Sequence, residues 1–228
     1  MKPMTPQELH DILLAAFGPQ HWWPAGTPFE VAVGAVLTQN TAWSNVEQAI
    51  RALAAKQALT PAGILALPPS VLEQTVRPAG YFRVKAGYLR TLAAWVQQHA
   101  PDGLASLAGS DAGDLRQELL GLRGIGPETA DSILLYALGR PLVVADAYTR
   151  RIGARLGMLP EGTGYAAAQA YLARRLPSDA AVLGEFHALV VRLGKEFCGK
   201  RPRCFGCPLA CRCPSVSVPA ARERSVPA

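Results

Sequence analysis

The chain has 228 residues, 50% hydrophobic and 18% charged, which is enough apolar mass for a substantial core in one or two domains and too much for a disordered protein. Twenty-three Lys and Arg against 17 Asp and Glu leave a net charge of +6, which favours a polyanionic partner, although a merely basic soluble protein has the same balance. No apolar run reaches the ~20 residues of a membrane span and the opening residues carry no signal segment, so the expected location is cytoplasmic, at the nucleoid if the source is prokaryotic.

Thr5-Pro6 reads as a helix cap with proline at the first helical position, and Leu9, Ile12, Leu13 and Phe17 share one face of the helix that follows. After Gly18-Pro19, the loop His21-Trp22-Trp23-Pro24 concentrates flat aromatic surface. Pro28 opens a second helix with Phe29, Val33, Val36 and Leu37 at core spacing, and it ends in the polar run Thr38-Gln39-Asn40-Thr41. Trp43, Val46, Ile50 and Leu53 form the next apolar stripe, and a short helix lies between Ala58 and Leu67. In Arg77-Pro78-Ala79-Gly80-Tyr81-Phe82-Arg83-Val84-Lys85, Gly80 allows a tight turn that exposes Tyr81, while Arg83 and Lys85 face solvent or phosphates. Val84, Tyr88, Leu92, Trp95 and Val96 belong to a long helix stopped by Pro101-Asp102-Gly103.

Ser110-Asp111 caps the next helix, which leads into Leu122-Arg123-Gly124-Ile125-Gly126-Pro127-Glu128-Thr129-Ala130. This run has the parts of a helix, a tight hairpin and a second helix: Gly124 and Gly126 permit positive φ around a buried Ile125, and Pro127 suits a first helical turn. Such a hairpin points backbone N–H groups outward, where a phosphate can be held without side-chain charge. A short apolar run then delivers Asp146 to the start of a helix carrying Arg150, Arg151 and Arg155, where it can act as an N-cap. A carboxylate bonded to backbone N–H groups stays ionised at neutral pH.

The pattern Leu-x-Gly-Ile-Gly-x-x-Thr-Ala, a helix through Gly139 and then an Asp resembles the helix-hairpin-helix, Gly/Pro-rich, Asp superfamily of DNA glycosylases, and within it the endonuclease III group, over nearly the whole chain. The resemblance implies double-stranded DNA with a damaged base as partner, held across a cleft with the hairpin (Gly124, Ile125, Gly126) gripping one strand. It makes Asp146 the catalytic carboxylate and puts Glu128 where the group has its Schiff-base lysine. Glu128 then either assists as a base or pairs with the helix dipole. By the same resemblance Gln39 fills the hole left by a flipped base, and Tyr81 falls where related enzymes place an apolar wedge. Trp22-Trp23-Pro24 is similar to the base pocket of the 3-methyladenine branch. Those tryptophans are either core anchors or a stacking platform, and a cationic alkylated purine would gain cation–π attraction there.

An Ala-rich amphipathic helix spans Tyr165 to Leu176, and another runs from Asp179 to Lys195, in which His187 reads as a structural histidine because no second His sits at ligand spacing. All five cysteines fall within Cys198, Cys204, Cys207, Cys211 and Cys213, a metal or cluster site rather than a disulfide framework. Zinc and iron–sulfur both accept four thiolates. The spacing Cys198-x5-Cys204-x2-Cys207-x5-Cys213 resembles the [4Fe-4S] loop of the endonuclease III group, with its first gap one residue short of the usual six. Cys211 is left over and exchangeable with Cys213. The cluster would be structural, presenting Lys195, Lys200, Arg201 and Arg203 to phosphates.

The expected fold is all-α and two-lobed, with a helical-bundle domain over 26–137, a cluster domain from 1–25 plus 138–213, and a flexible tail at 214–228. The expected activity is that of a monomeric DNA N-glycosylase, monofunctional because position 128 lacks an amine and suited to alkylated purines that leave easily. Two rivals stand beside it. One is a bifunctional glycosylase/lyase on oxidised pyrimidines in which Lys195 or Lys85 supplies the amine, and the other is a non-catalytic protein that binds damaged DNA.

Overall fold

The computed structural model describes residues 4–216, so most of the tail expected at 214–228 lies outside the described residues. Among those residues all regular structure is helical and no strand occurs. The helices are α1 (Pro6–Phe17), α2 (Pro28–Leu37), α3 (Trp43–Ala55), α4 (Pro61–Ala66), α5 (Pro69–Thr75), α6 (Phe82–His99), α7 (Ala112–Gly121), α8 (Pro127–Ser132), α9 (Ala147–Arg155), α10 (Tyr165–Ala173) and α11 (Ala180–Glu196). Short 3₁₀ turns at Arg77–Ala79 and Leu104–Gly109 precede α6 and α7, and α8 continues as a π turn over Ile133–Ala137. None of these helices is long and apolar enough to cross a membrane.

The helix starts are written locally. Thr5, Thr27, Thr60, Asp111 and Asp146 each sit at an N-cap and accept a hydrogen bond from a backbone N–H two or three residues on. Thr5 and Glu8 complete a reciprocal capping box, and proline follows the cap in α1, α2 and α4.

The contacts divide the described residues into two units, one of residues 21–144 with 177–185 and the other of 4–20, 145–176 and 186–216. These boundaries fall at 20/21 and 144/145 rather than at 25/26 and 137/138. The tryptophan loop groups with the bundle because Trp23 packs on Trp43 and Tyr136, with ring centroids at 5.2 and 5.4 Å. In the bundle unit α2, apolar apart from Glu30 in its first turn, lies against α3, α6, α8 and the π turn. Leu37, Val46, Leu53, Leu72, Leu89, Leu92, Ile133 and Leu134 fill this core. The other unit buries Leu9 and Leu13 of α1, Ile152 of α9, Leu172 of α10 and Leu189, Val190 and Leu193 of α11.

Candidate nucleic-acid interface and active site

In the bundle unit α7 and α8 enclose the Gly124-Ile125-Gly126 turn. Arg116 of α7 grips the fully buried Asp131 of α8 with two bonds, Nε to Oδ1 at 2.6 Å and an Nη to Oδ2 at 3.2 Å. The sequence reading missed this clamp, because an Arg and an Asp on different helices carry no local signal. Ile125 is buried as expected. Gly124 has φ +89°, but Gly126 does not share it: its φ of −91° is that of an ordinary extended N-cap, so only the first glycine is required by its own backbone. Glu128 lies exposed in the first turn of α8.

Gln39, just beyond α2, is tied to this hairpin. Its side-chain amide donates to the Gly124 carbonyl at 2.9 Å and to Thr129 Oγ1 at 3.1 Å. Tyr81 is 71% exposed and adopts φ +45°, so a bulky aromatic is held in a left-handed conformation at the tip of a turn. Arg83 is also exposed, 3.9 Å from Glu73. Lys85 departs from expectation. It neither faces solvent nor reaches for phosphates: it is 2% exposed, and its Nζ donates to the carbonyls of Leu37 and Ala79, each at 2.8 Å. Burial pulls its pKa down to about 8.

Trp22, Trp23, Trp43 and Tyr136 form one aromatic cluster, and the Tyr136 hydroxyl donates to the Gly184 carbonyl. The anchoring role fits Trp23, whose ring lies over Gly34 so closely that a Cβ there would stand 3.1 Å from it. Trp22 is half-buried at the margin of the same cluster, and Pro24 is exposed.

In the other unit Asp146 caps α9 and is 8% exposed. Its Oδ1 accepts the Thr149 N–H at 2.7 Å, and His187 Nε2 stands 3.7 Å from Oδ2. Burial pushes the carboxyl up, but His187 and Thr149 outweigh that effect and hold it below the usual aspartate range. His187, read from sequence as a hydrogen-bonded structural histidine, is thus the partner of Asp146, a pairing that nothing in the local pattern announces. Lys195, on the last turn of α11, lies in the field of the same carboxylate: partial burial lowers its pKa and the Asp146 charge opposes that shift.

Cys198, Cys204, Cys207 and Cys213 line one pocket whose other walls include Ile152, Leu156, Leu193, Phe197 and Leu209. Cys211 is exposed and lies outside it. Among the described residues no three His, Cys, Asp or Glu side chains converge as they would on a single metal ion. Arg155 braces the loop, donating to the carbonyls of Cys198, Gly199 and Lys200 and to Cys198 Sγ at 3.1 Å, and Arg151 adds a bond to the Cys198 carbonyl. Lys200 and Arg201 are exposed, whereas an Arg203 Nη atom is engaged by the carbonyls of Lys195 and Glu196.

A family model described as HhH-GPD superfamily base excision DNA repair protein matches residues 33–178. The chain belongs to this superfamily. A protein of Methanocaldococcus jannaschii with the provisional description DNA repair glycosylase is 42% identical over 89% of this chain and 92% of its own. Endonuclease III of Bacillus subtilis is 26% identical over 82% of this chain and 80% of its own. Among solved structures, endonuclease III in a non-covalent DNA complex aligns with a TM-score of 0.78 at 25% identity, covering 93% of this chain and 96% of that one. The Helicobacter pylori 3-methyladenine DNA glycosylase bound to 1,N6-ethenoadenine aligns with a TM-score of 0.73 at 26% identity, covering 84% and 95%. The chain is thus a DNA repair glycosylase of this superfamily, similar to both types.

Proposed function

We propose that this glycosylase hydrolyses the N-glycosidic bond of a flipped-out base with Asp146 and does not cleave the strand. The observation that carries the reading is the electrostatic setting of Asp146, a nearly buried carboxylate held ionised by the Thr149 N–H and His187. As the C1′–N bond breaks, its electron pair leaves with the base and the sugar becomes oxocarbenium-like. A fixed anion beside it lowers that barrier and orients the water that adds to C1′. Glu128 offers no amine for a Schiff base, so β-elimination has no starting adduct there.

Backbone N–H groups at the start of α8 suit a DNA phosphate, and exposed Lys200 and Arg201 add charge elsewhere on the backbone. Gln39 and Tyr81 are the residues we assign to the space left by the extruded base and to the wedge beside it. Trp22 is the residue on which the stacking reading rests. A cationic 3- or 7-alkylated purine fits both an aromatic face and a mechanism that relies on a good leaving group.

The spacing of Cys198, Cys204, Cys207 and Cys213 favours a [4Fe-4S] cluster over zinc, and all four line the one pocket that such a cluster would fill. Cys198, Cys204, Cys207 and Cys213 would hold it, and when bound it supplies iron–thiolate cross-links that stiffen the loop. Glycosidic hydrolysis moves no net electrons, so this chain's own residues suffice for the reaction.

One observation favours a glycosylase/lyase instead: Lys195 is an amine within the influence of Asp146. Lys85 drops out of that role because its Nζ is buried on two carbonyls. The deciding assay uses duplexes containing 3-methyladenine, thymine glycol or uracil, scored for base release after alkali and for nicking without it, in wild type and Asp146→Asn. Release without nicking, lost in the variant, is expected. Nicking together with a borohydride-trapped adduct overturns the monofunctional reading, and silence on all three lesions with retained damage binding favours a non-catalytic binder.

A further inference from the structure

The polar turn after α2 and the exposed Tyr81 come from separate stretches of chain, yet one buried side chain is bonded to both. Lys85 Nζ donates to the carbonyl of Leu37, the last residue of α2 and two positions before Gln39. The same atom donates to the carbonyl of Ala79, which ends the 3₁₀ turn two positions before Tyr81. One helical turn further along α6, the Tyr88 ring lies against Gly124, whose carbonyl accepts the Gln39 amide. The contacts therefore form a closed circuit from the Tyr81 turn through Lys85 to the end of α2, through Gln39 to the hairpin, and back to α6 through Tyr88.

A buried ammonium is an expensive way to satisfy two carbonyls, because its charge must be taken out of water. Lysines that cap helix C-termini normally do so from the surface. Here the cation sits beneath the two segments that the proposed function sends into the DNA stack, and its bonds fix the spacing of one relative to the other.

We propose that Lys85 is a positioning residue that holds Gln39 and Tyr81 in a fixed relation, so that wedging the stack and filling the vacated space occur as one step. This rests on the reading of those two residues given above. Lys85 itself touches no DNA. A lesion that is already unstacked does not need the concerted step, and excision from it does not depend on Lys85.

The test uses the full-length protein and a duplex carrying a tetrahydrofuran abasic analogue, with 2-aminopurine on the opposite strand as a fluorescent reporter of unstacking. Lys85→Met is expected to bind this duplex about as tightly as wild type, since it removes no phosphate contact, while losing most of the fluorescence rise. Excision of 3-methyladenine from duplex DNA should fall about a hundredfold in kcat, as for a misplaced positioning group. Excision of the same base from a single-nucleotide bulge should be spared. Equal losses on duplex and bulge mean a merely structural lysine and overturn the proposal, as does a wild-type fluorescence response in the variant. Gln39→Ala and Tyr81→Ala provide a measurement that leaves Lys85 in place: strongly non-additive effects on the fluorescence rise support the coupling, and additive ones overturn it. A wild type that binds the duplex without any fluorescence change sinks the assignment of Gln39 and Tyr81 to the stack, and the role of Lys85 with it. A failure confined to Lys85 leaves that wild-type signal intact.

Discussion

The ring of Tyr88 occupies the space that a side chain on Gly124 would need: a Cβ on Gly124 would run into that ring. With φ at +89°, the position is closed to other residues both by conformation and by contact. Gly124→Ala should therefore destabilise the fold by more than about 1 kcal/mol. Gly126→Ala meets nothing within 4 Å at an unstrained φ and should stay within about 0.5 kcal/mol of wild type. Urea denaturation of both variants checks the contrast, and equal losses would contradict it.

Asp146 combines two functions that substitution can separate. Asn keeps an oxygen for the Thr149 N–H, so Asp146→Asn should abolish base release with little change in stability, whereas Asp146→Ala should also lose about 1 kcal/mol of capping. The pH dependence follows from the lowered carboxyl pKa. The unfolded group, near 3.8, binds protons before the folded one does, so the ionised form contributes stability above pH 3.8 that is lost as pH falls through the lower folded value. The stability difference between wild type and Asp146→Asn should shift against wild type on acidification below pH 3.8. A difference that stays flat across that range would show that the carboxylate is not favoured by folding.

Lys85 gives a slope of the same sign in a different pH window. Its folded pKa of about 8 lies below the unfolded 10.5, so between those values the unfolded chain binds more protons and stability rises with pH. Wild type should gain on Lys85→Met between pH 8 and 10.5, because the desolvated charge is then absent from the folded state. Thermal melts of the two proteins across that window measure it; a stability difference that stays flat from pH 8 to 10.5 would mean that the two carbonyls hold the proton on.

The two adjacent tryptophans should behave differently. Trp23, packed on Gly34, Trp43 and Tyr136, is an anchor, and Trp23→Ala should cost about 3–5 kcal/mol. Trp22→Ala should cost less stability and reduce excision of alkylated purines instead. If Trp22→Ala excised 3-methyladenine at the wild-type rate, the stacking platform would be lost from the account.

Cysteine variants test the cluster by composition. Cys213→Ser should lose iron and the visible absorbance of an iron–sulfur protein, while Cys211→Ser should keep both, since only the former lines the cavity. Purified wild type containing zinc and no iron would replace the cluster assignment altogether.

What the sequence by itself determined is what acts over a few residues. Helix starts at Thr5, Thr27, Thr60, Asp111 and Asp146 depend on a side chain and an N–H two or three positions away, so pattern alone locates them. The Gly-Ile-Gly turn and the cysteine spacing are local in the same sense. Gly124 uses the positive φ that glycine permits and Gly126 does not, because the chain follows whichever conformation its neighbours impose. Tertiary structure decided which polar groups meet. His187 beside Asp146, Arg155 around the Cys198 carbonyl and Lys85 beneath two turns each join residues far apart in the chain. Their side chains look like ordinary surface or core residues until folding excludes water, and a buried charge must then take whatever partners packing has brought within reach.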